Sequence, residues 1–410
     1  MKQTNKILLI IFFLSLFIPV YSQEIKGEDL EVRLFIVGQG GPVYSSWGHT
    51  GLAIKNKQNN KDVFFDFGNF YFENENFFKN FALGRMLYMA YANYTQRYIQ
   101  SIVQNNRDLT EYVLNISNDK KLQMYEALIL KSMPENRTYL YHNYNDNCST
   151  RIRDYIDNAV NGQLKTATEI YRGSTFRKSF LLYTSHTDAV GLALSLLQGP
   201  PIDKEITIWQ EMFLPAVMGE IVQNFTYKND KGQTVPLILS KDQLNIAKNR
   251  KPVPDKYSPP FIRVILLSLI LSAIILFLNI RIEKGKIKLF ASMNIFAGFI
   301  LGLTGSVLLF LAAFTDHTYS YNNLNLFMIN PIAFFIIPAS IMYLIKGEKW
   351  KKRIDVLWMI QIVMTLIMIL IKILTPLKQD NLLEIILFLP ILISFSPLIP
   401  GLLKKRKLLR

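Results

Sequence analysis

One cysteine and four histidines limit the nucleophilic chemistry open to this 410-residue chain. Cys148 lies in Asn145-Asp146-Asn147-Cys148-Ser149-Thr150-Arg151, just ahead of Ile152, Tyr155, Ile156 and Val160, which recur at helical spacing. The thiol therefore falls at or near a helix N-terminus. Unpaired backbone N–H groups and the helix dipole there favour an anion, hence the nucleophilic thiolate, and the same amides suit the oxyanion of an acyl transfer. The alternative for a lone cysteine is a small buried hydrophobe. The polar run around Cys148 weighs against it.

A thiol nucleophile needs a base. His49, in Ser45-Ser46-Trp47-Gly48-His49-Thr50-Gly51, opens a strand-like run whose rigid backbone would present the imidazole, with a structural histidine as the alternative. His142 lies close to Cys148 in sequence, in a strand-like segment whose facing the spacing does not set. His186 precedes a helix-like stretch and has no catalytic partner nearby. Asp66 and Asn69, on the next strand-like run, are both candidates to orient His49. His317, in Thr315-Asp316-His317 ahead of Asn322, Asn323 and Asn325, is either part of a polar loop or part of a substrate site at the outer leaflet, such as one for a lipid head group. Arg151 and Arg153 suit structural ion pairs, with phosphate binding as the alternative. No metal or cofactor site is expected.

The elements that must position these residues divide the chain in two. Half of the residues are hydrophobic, but apolar runs and charges are segregated, and most long apolar runs lie between residues 260 and 403. Before them, alternation or clustering of β-branched and aromatic residues predicts strands over 31–37, 49–55, 62–67, 87–94 and 110–116. Apolar spacing predicts helices over 119–133, 147–158 and 188–198. This is an α+β domain, expected over residues 23–248. A proline-rich connector, 249–260, would hold it close to a membrane. Spans are drawn at roughly 261–280, 289–314, 324–345, 354–374 and 383–403, an all-α bundle of about five helices at the ~20 residues a bilayer requires.

The net charge of +15 would suit a nucleic-acid partner if it covered a soluble face. It does not: Arg281, Lys284, Lys286 and Lys288 follow the first span, Lys346, Lys349, Lys351, Lys352 and Arg353 follow the third, and Lys404, Lys405, Arg406, Lys407 and Arg410 end the chain. The alternate loops hold only Lys378. The positive-inside rule then puts the α+β domain outside the cytoplasm and the 404–410 tail inside it. At the N-terminus, Lys2 and Lys6 precede a short apolar run, and Val20-Tyr21-Ser22 offers a cut site without a clean Ala-x-Ala pattern. Residues 1–22 are thus expected to be a cleaved signal peptide, with a retained signal anchor as the alternative. A single cysteine in an exported domain forms no intrachain disulfide.

Together, Gly48-His49-Thr50 and Asn147-Cys148-Ser149-Thr150-Arg151-Ile152-Arg153-Asp154 resemble the Lnb-type lipoprotein N-acyltransferase family. Further matches are Gly173-Ser174-Thr175-Phe176-Arg177, Asp203 with Glu211-Met212-Phe213-Leu214-Pro215, and Asn323, Asn325-Leu326 and Asn330-Pro331. The resemblance implies a periplasmic domain similar to a circularly permuted, NlpC-type papain-like fold, in the bacterial inner membrane. It implies Cys148 as the acyl-carrying nucleophile, His49 as its base and an N-acylated lipoprotein as product; the expected reaction takes the acyl group from a membrane phospholipid, with the lipoprotein's own glyceride as the alternative donor, to a diacylated lipoprotein. Arg151, His317, Asn323 and Asn325 are the candidate substrate contacts. Two other classes stay open, an NlpC-type cell-wall peptidase or amidase and a non-catalytic membrane receptor or assembly factor.

Overall fold

The computed structural model describes residues 25–70, 76–280 and 287–402. The expected signal peptide, the basic residues Arg281, Lys284 and Lys286, and the 404–410 tail lie outside the described residues.

The N-terminal domain is built on seven antiparallel strands: β1 (Leu30–Val37), β2 (His49–Asn56), β3 (Lys61–Phe70), β4 (Leu87–Tyr94), β5 (Leu109–Leu114), β6 (Thr138–Leu140) and β7 (Ile238–Asn245). Their order is β7-β5-β1-β2-β3-β4-β6. Alternation along the strands sorts side chains to two faces. Leu30, Val32 and Leu34 of β1, with Leu52, Ile54, Phe65 and Phe67, face one core. Phe35, Val37, Ala53 and Phe64 face the other.

Helices cover both faces. Those of the α+β domain include α1 (Phe77–Ala82), α2 (Thr95–Gln104), α3 (Asn118–Ser132), α4 (Cys148–Ala159), α5 (Phe176–Leu182), α6 (Asp188–Leu197) and α7 (Pro215–Asn224). Ile152 and Ile156 of α4, Met124 and Leu128 of α3, and Met218 and Val222 of α7 close the first core. Ile102 of α2 closes the second. Ile152 and Ile156 are fully buried, and each such side chain contributes about 1.5–3 kcal/mol on leaving water. That burial fixes α4, and with it Cys148, against β2 and β3.

The C-terminal helices are α8 (Phe261–Ile280), α9 (Ile287–Phe314), α10 (Ile336–Lys346), α11 (Glu348–Leu374) and α12 (Leu382–Phe395). Among the described residues four stretches are long and apolar enough to cross a bilayer, at 261–280, 287–314, 324–346 and 348–374. Two of the drawn spans are not single unbroken helices. The third is not one helix: short 3-10 turns at Leu324–Phe327 and Pro331–Phe335 precede α10. Pro331 lacks an N–H and disfavours helix at Asn330. The Asn330 side chain caps Ile332 N and meets Gln361 at 2.8 Å, so this irregular backbone is satisfied inside protein rather than facing lipid. The fifth is interrupted: α12 has 14 residues and stops before Ser396-Pro397, and helix resumes over 398–402. Asn279 donates to the carbonyls of Ser394 and Phe395, capping that end from α8.

The α+β domain sits on one end of this bundle. Asp316, just past α9, pairs with Arg85 at 2.7 Å, and the Gly199 amide donates to Tyr319 at 2.8 Å. Gln379, between α11 and α12, donates to the Gln198 carbonyl at 3.0 Å. Arg263 of α8 meets Asp188 of α6 at 2.9 Å. These loops are the ones poor in Lys and Arg.

Candidate active site

β2 begins at His49 because Gly48 can turn the chain there. Its φ is +84°, and a Cβ would stand 2.6 Å from the Val37 carbonyl oxygen, so the turn requires glycine. His49 Nε2 lies 2.8 Å from Asp66 Oδ1. Asp66 sits on β3 opposite Gly51, and its Oδ1 also accepts the Gly68 amide at 2.7 Å. Between Asp66 and Asn69 the β3–β4 register slips by one residue. At Gly68 in this bulge, a Cβ would fall 2.3 Å from His49 Cε1. The bulge thus makes room for the imidazole, as bulges beside functional sites commonly do.

Cys148 is the first residue of α4 and is 8% exposed. Asn147 caps the helix: its Oδ1 accepts from Ser149 N and Thr150 N, both at 2.9 Å. Thr150 Oγ1 accepts from Asn147 N at 2.8 Å, closing a reciprocal capping box. Asn147 Nδ2 donates to the carbonyls of Asn143 and Phe213, which ties the cap to the chain on either side. Of the first three amides of α4, two are therefore engaged, and that of Cys148 meets no acceptor among the described residues. The oxyanion donors expected from the helix terminus reduce to this one amide.

His49 lies between the two. The Cys148 side chain lies near enough to act on the imidazole, and with Nε2 on Asp66, Nδ1 is the nitrogen left for the thiol. Burial opposes charge on the ring, but Asp66 and Cys148 outweigh it and hold the His49 pKa well above the usual imidazole value. Burial likewise pushes the Asp66 carboxyl up, while His49, the Gly68 amide and Asn69 outweigh it and hold its pKa below the ordinary carboxylate value. Of the two candidates for orienting His49, Asp66 is in contact with it and Asn69 stands behind Asp66. Among the described residues no cluster of His, Cys, Asp or Glu suits a metal ion.

The other singled-out residues lie elsewhere. His142 Nε2 meets Thr318 Oγ1 at 2.9 Å and its Nδ1 accepts from Tyr144 N and Asn145 N, so both nitrogens are occupied at the contact with the membrane domain. His186 meets the Pro252 carbonyl of the proline-rich segment at 3.0 Å. His317 is 8% exposed and hydrogen-bonds Tyr319 at 2.8 Å. Asn323 and Asn325 both donate to the Leu196 carbonyl, and Asn325 Oδ1 accepts from Asn381 at 2.7 Å. Their amides join α6 to the outer loops. Arg151 pairs with Asp146 and stacks 3.6 Å above the Tyr139 ring. Arg153 pairs with Asp154 and lies over Trp209.

Residues the sequence did not single out surround the thiol. Tyr88 and Tyr139 share its buried cluster, with Tyr141 packed against it, and Tyr139 donates to the Phe67 carbonyl. The role of Asn147 was legible in principle, since Asn-x-x-Thr before an apolar helical pattern is a cap signal. Nothing local to Gly68 reveals what it faces.

Comparison with known proteins gives two matches in chain order. The model of the Lnb N-terminal periplasmic domain matches residues 18–179, and that of the Lnb transmembrane domain matches residues 254–403. Searches of curated proteins and of solved structures gave no match. The matched regions are the part of the sheet domain that carries His49, Asp66 and Cys148 and the apolar helical bundle beneath it, and together they take up most of the chain. The protein therefore belongs to the Lnb-type lipoprotein N-acyltransferase family, as an inner-membrane protein of lipoprotein maturation with a periplasmic N-terminal domain.

Proposed function

We propose that the protein moves a fatty acyl group from a membrane phospholipid, through a thioester on Cys148, to the α-amino group of a lipoprotein's diacylglyceryl-cysteine. The observation that carries this is the row Cys148–His49–Asp66, a helix-terminal thiol facing an imidazole whose far nitrogen is held 2.8 Å from a carboxylate. His49 takes the Cys148 proton. The thiolate attacks the ester carbonyl, and the Cys148 amide donates to the developing oxyanion. Collapse releases the lysophospholipid alkoxide, which takes the proton from His49. In the second half the lipoprotein amine attacks the thioester carbonyl and His49 accepts its proton. The thiolate leaves and the amide is formed.

Asp66 orients the ring and stabilises its charged form in both halves. The helical bundle brings the domain to the surface where both substrates reside, which raises their effective concentration. His142, Asn323, Asn325 and Arg151 act as supports in this scheme, and the C-terminal tail is cytoplasmic.

The test is to reconstitute the protein in nanodiscs with a phospholipid bearing an alkyne-tagged acyl chain. A hydroxylamine-labile adduct on Cys148 is expected by mass spectrometry, absent in Cys148→Ser. Adding a diacylated lipopeptide should move the tag to its N-terminus as an amide. Absence of the thioester would remove the mechanism, and transfer to water alone in the presence of the lipopeptide would point to a hydrolase.

A further inference from the structure

Helix α1 exposes its aromatic side chains: Phe78 is 84% and Phe81 46% exposed. Its C-terminal end is fastened to the point where α9 leaves the apolar bundle. The Asp316 amide donates to the Leu83 carbonyl at 2.7 Å, and Arg85 pairs with Asp316 at 2.7 Å. The His317 backbone and ring stand against this end of α1, close to Gly84. Gly84, with φ +78°, lets the two backbones meet, since a Cβ there would stand 2.6 Å from His317 N. Phe314, 67% exposed, is the last residue of α9. The exposed phenylalanines of α1 thus continue the apolar belt of the spanning helices at its outer edge. Aromatic rings favour that depth, and the exposed Lys79 beside Phe78 suits lipid phosphates.

Behind α1 runs a row of aromatic rings. Phe77 stands 5.4 Å from Phe78, 6.2 Å from Phe81 and 6.0 Å from Phe70. Phe70 packs on Tyr88 at 4.5 Å, and Tyr88 stacks on Tyr141 at 3.9 Å. Tyr88 belongs to the same buried cluster as Cys148. These rings join the membrane edge to the buried cluster that also contains Cys148.

We propose that α1 dips into the outer leaflet and that the row Phe77, Phe70, Tyr88 and Tyr141 takes a phospholipid acyl chain from that leaflet to Cys148, a role that presupposes the thioester route above. A chain in transit is disfavoured by exposure to water, so apolar surroundings along its route are the physical requirement of such a transfer. His317 is a positioning residue here, holding α1 at the membrane edge.

The test compares two donors on one protein in nanodiscs of phosphatidylethanolamine and phosphatidylglycerol: the tagged bilayer phospholipid, and p-nitrophenyl butyrate, which reaches Cys148 from water. In Phe78→Asp/Phe81→Asp the ratio of phospholipid to butyrate acylation rates should fall at least about tenfold, because only the first donor needs the inserted helix. His317→Ala should lower the same ratio. An unchanged ratio, including one in which both rates fall together, overturns the proposal. If the unaltered protein forms no thioester from either donor, it is the acyl-transfer reading that fails instead. Independently, Phe78→Trp should add emission quenched by doxyl-labelled lipid, and no added quenching would exclude insertion of α1.

Discussion

Gly68→Ala separates the site from the fold. A Cβ at Gly68 would stand 2.3 Å from His49 Cε1, 3.1 Å from Nδ1 and 3.2 Å from Nε2. Carbon atoms in contact prefer about 3.5 Å or more, so the ring must retreat by roughly 1 Å. The ring is the far end of a side chain and can move without disturbing the sheet. Retreat breaks the 2.8 Å bond to Asp66 or swings Nδ1 away from Cys148. A misplacement of about 1 Å typically costs on the order of 10²-fold in rate, or about 2.7 kcal/mol of barrier. Stability should move the other way: the φ of Gly68 lies outside the left-handed region, and alanine in an allowed conformation gains about 0.4–1 kcal/mol through the unfolded chain. Thioester formation on Cys148 and thermal unfolding are measured on the same preparation. The expected pair is a rate down about 10²-fold with an unchanged or slightly higher Tm. A variant acylating within about threefold of the parent, well short of that loss, would refute the placement of His49.

Three further outcomes follow from the same geometry. In Asp66→Asn the charge that holds the His49 pKa up is lost while burial remains, so His49 should lose its proton at lower pH than in the parent; the alkaline limb of the acylation rate should move to lower pH, and an unmoved limb would show that Asp66 does not tune the ring. Asn147→Ala removes the 2.9 Å bonds to Ser149 N and Thr150 N, which should cost about 1–2 kcal/mol and lower the Tm of the solubilised protein by about 2–8 °C; an unchanged Tm would mean the cap is dispensable. A reporter fused after Arg410 should behave as cytoplasmic and one inserted at Asn322 as periplasmic, and the reverse would place the thiol on the wrong side of the membrane.

What could be read from the sequence was whatever rests on local periodicity or on the segregation of charge. Strands β1, β2 and β4 and helices α3, α4 and α6 were legible nearly to the residue because alternation and helical spacing are properties of neighbours. Helices α1, α2 and α7 and the edge strand β7 were not. The run Thr95–Gln104 carries only a narrow apolar stripe around Tyr98, Ile99 and Ile102, and becomes a helix against Phe64 and Phe35 of the sheet. The third span illustrates the opposite failure. Its apolar composition reads as one continuous helix, yet Asn330 turns out of the helix at Pro331 and finds Gln361 on α11.

The sequence by itself determined that a thiol lies at a helix start, that a histidine opens a strand, and that apolar and basic segments alternate as in a membrane protein with one exported domain. Tertiary structure decided which groups meet. Strict alternation would send Asp66 and Asn69 to opposite faces of β3. The one-residue bulge returns them to the same face, and the pairing of Asp66 with Gly51 sets the carboxylate against His49. It likewise decided that Asp316 and His317 meet the end of α1 and that Asn323 and Asn325 bind the Leu196 carbonyl. The physical reason is the range of the signals: spacing reports what adjacent residues do to one another, whereas strand register, bulges and interdomain hydrogen bonds join positions far apart in sequence and are settled only when the cores on both faces of the sheet close.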